Sequence, residues 1–316
     1  MSPTRLRSGF VAILGRPNVG KSTLLNTLLG RKVAIVSAHP QTTRTRLLGI
    51  YNTPAGMKPR GQIVFIDTPG VHKAASPFYR AMLRQAQEAL EGRDLAILMM
   101  DVTRAPGPED DFAAAMLATP AGAPGANAAP PVILALNKID RLHDKSALLP
   151  LLERHSQRRS YAAIVPISAR TGEQVPVLVQ EILRRLPSGP AYYPPGQVTD
   201  QPDEFLVAEL IREQALRLTR EEVPHALAVA IESFDPGPAS PRIEAVLYCE
   251  REGQKAILIG RRGAMIREIG TAARSEIQRQ LPHLGNHLFL GLRAEVRTAW
   301  RQDPAYLRQM DWRGSS

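Results

Sequence analysis

The chain has 316 residues, a formal net charge of +10 and 44% apolar residues; this length suits two domains, and the apolar fraction excludes wholesale disorder. A single cysteine, Cys249, excludes an internal disulfide framework or a cysteine zinc site and fits a reducing cytosol. No apolar stretch approaches the roughly 20 residues of a membrane span and no signal peptide is visible, so the expectation is a cytoplasmic protein whose positive charge suits nucleic acid or a membrane surface.

In chain order, Phe10–Leu14 reads as a strand and runs into Gly15-Arg16-Pro17-Asn18-Val19-Gly20-Lys21-Ser22. This matches G-x-x-x-x-G-K-[ST] between a strand and a helix. The glycines let successive N–H groups curl round phosphates, and the helix N-terminus adds its positive end. Asn18, Val19, Gly20 and Thr23 belong to this cradle. Lys21 is expected to bridge the β- and γ-phosphates, and Ser22 to offer a hydroxyl to Mg²⁺. In the following Pro40-Gln41-Thr42-Thr43-Arg44, a threonine can ligate Mg²⁺ only while the γ-phosphate is present, which makes the segment a switch. Thr43 is favoured for that role and Thr42 is the alternative.

Ile63–Ile66 is the next strand-like run, and Asp67-Thr68-Pro69-Gly70 follows it. Asp67 can reach Mg²⁺ through water, and the Gly70 N–H can meet the γ-phosphate. Leu95–Met100 and Val132–Leu136 are further strands, separated by an Ala/Gly/Pro-rich stretch, Ala118–Pro131, that reads as a long surface loop. Asn137-Lys138-Ile139-Asp140 follows the second of these. The Asp140 carboxylate can accept from guanine N1–H and the exocyclic amine, which adenine does not offer there. Asn137 ties loops together and the Lys138 stem covers the base. After the strand-like Ala163–Ile167, Ser168-Ala169-Arg170 completes the set, with the Ala169 N–H expected to face guanine O6. The residues therefore predict GTP/GDP binding with Mg²⁺. Alternating strands and helices predict a mainly parallel, doubly wound sheet with its ligand at the carboxyl ends of the strands.

Pro187–Pro202 holds five prolines, two glycines and one charge and reads as a linker. The reading divides the chain into a nucleotide-binding domain over 1–187, a linker over 188–202 and a second domain over 203–316 with a C-terminal tail. In the second domain a helix over Asp203–Leu218 precedes strands near 225–234 and 242–251. A short helix, a Gly-Arg-Arg-Gly turn, a helix near 264–281 and a strand near 287–297 complete an α-β-β-α-α-β order. The second domain is charge-neutral overall: residues 203–316 hold 16 Lys+Arg and 16 Asp+Glu. Residues 255–279 nevertheless carry Lys255, Arg261, Arg262, Arg267, Arg274 and Arg279 against Glu268 and Glu276. That local excess and the glycines of the turn suit an approaching RNA backbone.

These motifs, with Ile211-Arg212-Glu213, the run Leu218–His225, Gly260-Arg261-Arg262-Gly263 and Trp300-Arg301, resemble the Era family of ribosome-assembly GTPases over nearly the whole chain. The resemblance implies an α/β P-loop GTPase domain followed by a smaller α+β type II KH domain. It also implies GTP hydrolysis coupled to binding the 3′ end of 16S rRNA during maturation of the 30S subunit. The matching RNA-binding residues are Lys255, Ile259, Gly260, Arg261, Arg262, Gly263, Met265 and Arg267. The family more often has lysine and glycine inside the turn, so the RNA path can differ here. For hydrolysis, Lys21, Thr43, Gly70 and Asn18 are the catalytic candidates. Ras-like proteins place a glutamine after D-x-x-G; here Val71 cannot orient water. His72 reads as an exposed switch histidine ahead of a base. In related GTPases the P-loop asparagine helps hold K⁺, which makes K⁺ a candidate cofactor. The expectation is a slow, monomeric enzyme, in the cytoplasm with peripheral contact to the inner membrane. Two other readings stand beside it: a similar GTPase acting on a protein or membrane partner, and a non-hydrolysing RNA-binding module.

Overall fold

The computed structural model describes residues 6–37, 43–71, 77–117, 129–219, 223–237, 240–285 and 287–303. The chain divides into two compact units: the first reaches to Asp200 and the second begins at Gln201, with the short pieces 34–37 and 77–78 counted among the second.

The first unit contains β1 (Arg7–Leu14), α1 (Lys21–Leu29), β2 (Leu47–Asn52), β3 (Gly61–Asp67), α2 (Pro77–Glu88, apart from its first two residues), β4 (Leu95–Asp101) and α3 (Pro108–Met116), then β5 (Val132–Asn137), α4 (Leu148–Arg158), β6 (Ala163–Ile167) and α5 (Val175–Arg185). The sheet order is β2-β3-β1-β4-β5-β6. Every pairing is parallel except β2 with β3. Continuous apolar runs such as Leu-Ala-Ile-Leu-Met-Met in β4 are buried along their whole length, as strands covered on both faces must be. Their polar successors, Asp67, Asp101 and Asn137, fall at the carboxyl ends of β3, β4 and β5.

Strand β2 is not among the strands read from the sequence. Gly49 and Asn52 weaken its strand preference, and it forms because β3 offers an open edge to pair with. The proline-rich stretch expected to act as a linker is, up to Asp200, part of the first unit. Its backbone is tied down: Ile50 N–H donates to Val198 C=O at 2.8 Å, and Thr199 Oγ1 donates to Leu48 C=O at 2.8 Å. The buried Gln62 amide in β3 accepts from the Tyr192 and Tyr193 N–H groups at 2.7 and 3.0 Å. Composition marks this stretch as irregular, while the side chain that orders it lies some 130 residues earlier.

The second unit holds α6 (Asp203–Leu218), α7 (Val223–Ala226), β7 (Ala228–Asp235), β8 (Arg242–Cys249), α8 (Glu252–Ile259), α9 (Ala264–Gln280) and β9 (Phe289–Val296). Its sheet runs β7-β8-β9, antiparallel then parallel. The strand expected from His225 begins instead at Ala228, because 223–226 close one helical turn. The apolar face of α6 (Val207, Leu210, Ile211) packs with Leu247, Ile269, Ile277 and the short piece's Ile35 in one core. Trp300 is fully buried, donates its indole N–H to Ala226 C=O at 2.9 Å and meets Phe78 edge-on. Replacing it removes both a large packed surface and the donor for a buried carbonyl. Trp300→Ala should therefore lower the stability of this unit by about 3–5 kcal/mol in urea unfolding of the full chain. Trp300→Phe, which keeps most of the packing but leaves the Ala226 carbonyl without its donor, should cost about 1–3 kcal/mol.

Candidate active site

The carboxyl ends of β1, β3, β5 and β6 converge, so four short loops separated in sequence face one region. From β1 the chain turns through Asn18 (φ 58°) and Gly20 (φ 107°) directly into α1. That helix carries no acidic residue in its first turn and no side-chain cap. Its first N–H groups therefore remain donors for an anion. Lys21 is buried and folds back over the loop, donating from Nζ to the Gly15 and Arg16 carbonyls at 3.0 and 3.1 Å. Burial pushes its amine down to about 8, with Asp67 pulling the other way.

The three residues expected to hold Mg²⁺ stand together. Ser22 Oγ lies 2.7 Å from Thr43 Oγ1 and donates to Asp67 Oδ2 at 2.7 Å; Thr43 Oγ1 reaches the same oxygen at 3.5 Å. Asp67 is buried, and its Oδ1 has no hydrogen-bond partner. Burial raises its carboxyl to about 6, against the pull of Lys21, the Ser22 and Thr43 hydroxyls and the Thr68 N–H. Two hydroxyls and a carboxylate with a free oxygen are the hard donor set that Mg²⁺ prefers. The residues fit the ion, whose chemistry would be to neutralise charge on the β- and γ-phosphates. Thr42, the alternative to Thr43, and His72 lie outside the described residues.

Gly70 approaches the phosphate loop from β3. A Cβ there would sit 2.7 Å from Pro17 Cα and 2.8 Å from Pro17 N. The next residue, Val71, is buried and donates its N–H to Gly15 C=O at 3.3 Å. Its side chain therefore has no access to an attacking water, as its apolar character already indicates.

Around the base, Asn137 is buried and uses both ends of its amide. Nδ2 donates to Val19 C=O at 2.7 Å, and Oδ1 accepts from the Ala169 N–H at 2.8 Å. The sequence reading aims that Ala169 N–H at guanine O6. In this structure it serves the Asn137 oxygen, because a buried amide oxygen needs a donor. Asp140 Oδ1 accepts from Ser168 Oγ at 2.7 Å. Its Oδ2, buried and without a hydrogen bond, has Arg170 Nη2 as an ionic neighbour at 2.7 Å. Burial raises Asp140, but the Ser168 hydroxyl and the Arg170 guanidinium outweigh it and hold the carboxyl below its ordinary value. An ionised carboxylate, with one oxygen on Ser168 and the other beside the exposed Arg170 side chain, has the charge that the two adjacent donors of guanine require. Thr23, on the first turn of α1, is half-buried beside the cradle.

Two charged residues here escaped the sequence reading. Arg16, inside the P-loop, is buried and pairs with Asp101 at 3.2 Å and with Asp110 at 3.6 Å. Asp101 ends β4 and also takes Lys138 Nζ at 2.7 Å. The signal available was position: Asp101 closes a strand at the same sheet end as Asp67 and Asn137.

Comparison with known proteins follows the same division. Residues 10–138 match the model of a family described as 50S ribosome-binding GTPase, and residues 222–301 match that of the KH domain. The GTPase Era of Geobacter metallireducens is 44% identical over 316 residues, spanning 99% of this chain and 100% of that protein. The chain belongs to the Era family of GTPases. A crystal structure of Aquifex aeolicus Era bound to GDP and AlF₄⁻ superposes with a TM-score of 0.89 at 38% identity, covering 97% of this chain and 99% of that one. A structure of Era with MgGDPNP and nucleotides 1506–1542 of 16S ribosomal RNA gives the same TM-score, identity and coverage. Like its family, this chain is a GTP hydrolase with a P-loop GTPase domain followed by a KH domain.

In the KH domain the turn expected to meet RNA joins α8 to α9. Gly260 and Gly263 have φ of 71° and 76°, and between them Arg262 also has positive φ, 53°. Arg261, Arg262 and Arg267 are exposed, Lys255 is half-buried, and Ile259 and Met265 pack against the core from either side of the turn. Arg279, counted in the basic patch, is paired with Glu276.

Three outcomes follow for the nucleotide site. Asp140→Asn removes the charged acceptor for two guanine donors, each worth about 1.5–3 kcal/mol. GTP affinity should fall at least about a hundredfold, with relative preference moving to xanthosine triphosphate, as competition binding would read. Because Asp140 is held below the ordinary carboxylate range, the preference of the unaltered protein for GDP over ADP should stay level from about pH 8 to pH 5. Gly70→Ala forces the loop away from Pro17. It should lower the single-turnover GTP hydrolysis rate by roughly a hundredfold while leaving GDP affinity within about threefold.

Proposed function

We propose that this chain is a GTP-driven switch whose nucleotide state controls binding of the single-stranded 3′ end of 16S rRNA during maturation of the 30S subunit. The observation that carries this reading is the Gly260–Gly263 turn, with two exposed arginines at the start of a 17-residue helix, α9. Backbone N–H groups at a helix start and mobile cations suit phosphates, and sequence-specific RNA recognition targets unpaired strands. The related Era in complex with a 16S rRNA fragment supports the choice of RNA. Coupling is supported by chain order: Thr43, beside Ser22 and Asp67, follows closely on residues 34–37, and Ile35 of that piece lies in the core of the KH-containing unit.

The nucleotide is held with Mg²⁺ on Ser22, Thr43 and Asp67. Hydrolysis is slow, because Val71 is apolar and buried where a glutamine would orient the water, and Asn18 would hold a K⁺ that supplies part of the missing positive charge. The protein works as a monomer in the cytoplasm, with peripheral contact to the membrane surface. Among the described residues no helix is long and apolar enough to cross a membrane, which is compatible with that peripheral contact.

The deciding experiment is fluorescence anisotropy with a short RNA copied from the 3′ end of 16S rRNA, a scrambled RNA as control, and the protein loaded with GDP or a GTP analogue. Selective binding that depends on the nucleotide is expected. Gly263→Asp, which sets a carboxylate against the RNA phosphates, should weaken it about tenfold or more. Equal, weak binding of both RNAs would remove the ribosomal RNA reading and leave the GTPase intact. In a separate assay GTP turnover should be faster in K⁺ than in Na⁺ at equal ionic strength; equal rates would exclude a potassium role.

A further inference from the structure

We propose that Asp101 is a positioning residue for guanine-nucleotide binding, acting through Lys138. Its carboxylate fixes the far end of the lysine stem that covers the base.

In the β4–β5 pairing Asp101 lies directly opposite Asn137, so its carboxylate comes beside the residue that follows. Lys138 itself has φ 74°, a left-handed backbone that is uncommon for a side chain of this size. From there its stem runs back across the site. Nζ donates to Asp101 Oδ2 at 2.7 Å and to Asn18 C=O at 2.9 Å. A lysine stem free at its ammonium end samples many rotamers. One anchored at both ends is a fixed apolar strip, and a planar base packs on it without first having to order it.

The carboxylate is in turn held in place. Its side chain is 3% exposed. Oδ1 accepts from Thr103 N–H at 3.0 Å and Thr103 Oγ1 at 2.6 Å. Oδ2 also faces Arg16 Nη2 at 3.2 Å, and exposed Arg104 stands at 3.9 Å. Arg16 lies in the phosphate loop, so one anion joins the loop that holds phosphate to the loop that reads the base. A buried charge that only offset Arg16 would have no bearing on Lys138; the 2.7 Å contact makes Lys138 its closest cation.

The test is a double-mutant cycle on the full chain, with GDP affinity, GTP KM and kcat as readouts. Asp101→Asn keeps the shape and removes the charge; Lys138→Met keeps much of the stem and removes the ammonium. Asp101→Asn is expected to raise the Kd for GDP and the KM for GTP by about ten- to thirtyfold, with kcat at saturating GTP within about twofold. In the Lys138→Met background the same change should add less than about twofold, and Asp101→Glu should restore most of the affinity. Full, independent losses that multiply in the double variant would overturn the proposal, as would a fall in kcat with KM unchanged. If Asp101→Asn does not fold, Thr103→Val takes its place. Thr103 is exposed and its hydroxyl orients the carboxylate. Its loss should raise the GDP Kd by about threefold in the unaltered background and not in Lys138→Met. An unchanged Kd in the first background, or an equal rise in both, would overturn the proposal.

Discussion

The nucleotide site depends on one buried amide. Asn137 donates to the phosphate loop at Val19 and accepts from the loop after β6 at Ala169. Three loops from distant parts of the chain are thereby held at fixed separation before any ligand arrives. The contact also explains a glycine: a Cβ on Gly20 would lie 2.4 Å from Asn137 Nδ2, and Gly20 has φ 107°. The glycine of the phosphate loop therefore serves two needs, the turn that exposes N–H groups and the space through which Asn137 reaches Val19. Neither amide end could be left unmet at this depth without a cost of about 1–3 kcal/mol.

Around that tie, the site holds two charged groups whose ionised forms burial makes less favourable than they are in water. Lys21 is lowered to about 8 and Asp67 raised to about 6, both by burial. Each tempers the other's shift. The arrangement is costly to stability when empty, since each charge has lost its hydration. It suits a ligand that brings its own charges, because phosphates favour the ammonium and a divalent cation favours the carboxylate. Part of the binding energy of GTP is therefore relief of charges the fold already holds in place, with little reorganisation required.

What could be read from the sequence followed from how local the constraint is. The phosphate loop, Asp67–Gly70, Asn137–Asp140 and Ser168–Arg170 each work through consecutive residues after a strand, so spacing alone exposed them. Ser22, Thr43 and Asp67 come within hydrogen-bond range of one another although they span 45 residues. Strand β2 could not be read this way, because its register is supplied by β3 and its own residues carry little preference. The chain over 192–199 failed for the same reason, being ordered by Gln62 and the β2 edge. Arg16 and Asp101 were silent because a P-loop variable position and a single strand-end acid carry no motif until the fold sets them 3.2 Å apart. The direction of the Ala169 N–H depended on which of two acceptors claims it, which is a property of three-dimensional packing.

Charge distribution separates the tasks of the two domains. The excess of positive charge lies in residues 1–202, with 24 Lys+Arg against 14 Asp+Glu, while the rest of the chain is balanced. If RNA affinity came from bulk charge, the wrong half of the molecule would carry it. In the KH domain many cations are already committed: Arg212 to Glu209, Arg279 to Glu276, Arg293 to Glu232 and Glu295, and Arg301 to Glu250. Arg261, Arg262 and Arg267, exposed around the turn, belong to none of these pairs. A neutral domain with its pairs internally satisfied repels little and attracts little at long range. Its attraction for an anion is confined to the turn, where glycine backbone and arginine side chains converge. Such a surface favours a strand that fits the turn over any polyanion at hand, and binding there responds more to the position of a few groups than to the net charge of the protein. A switch can control that kind of binding, because moving or covering one turn removes most of it.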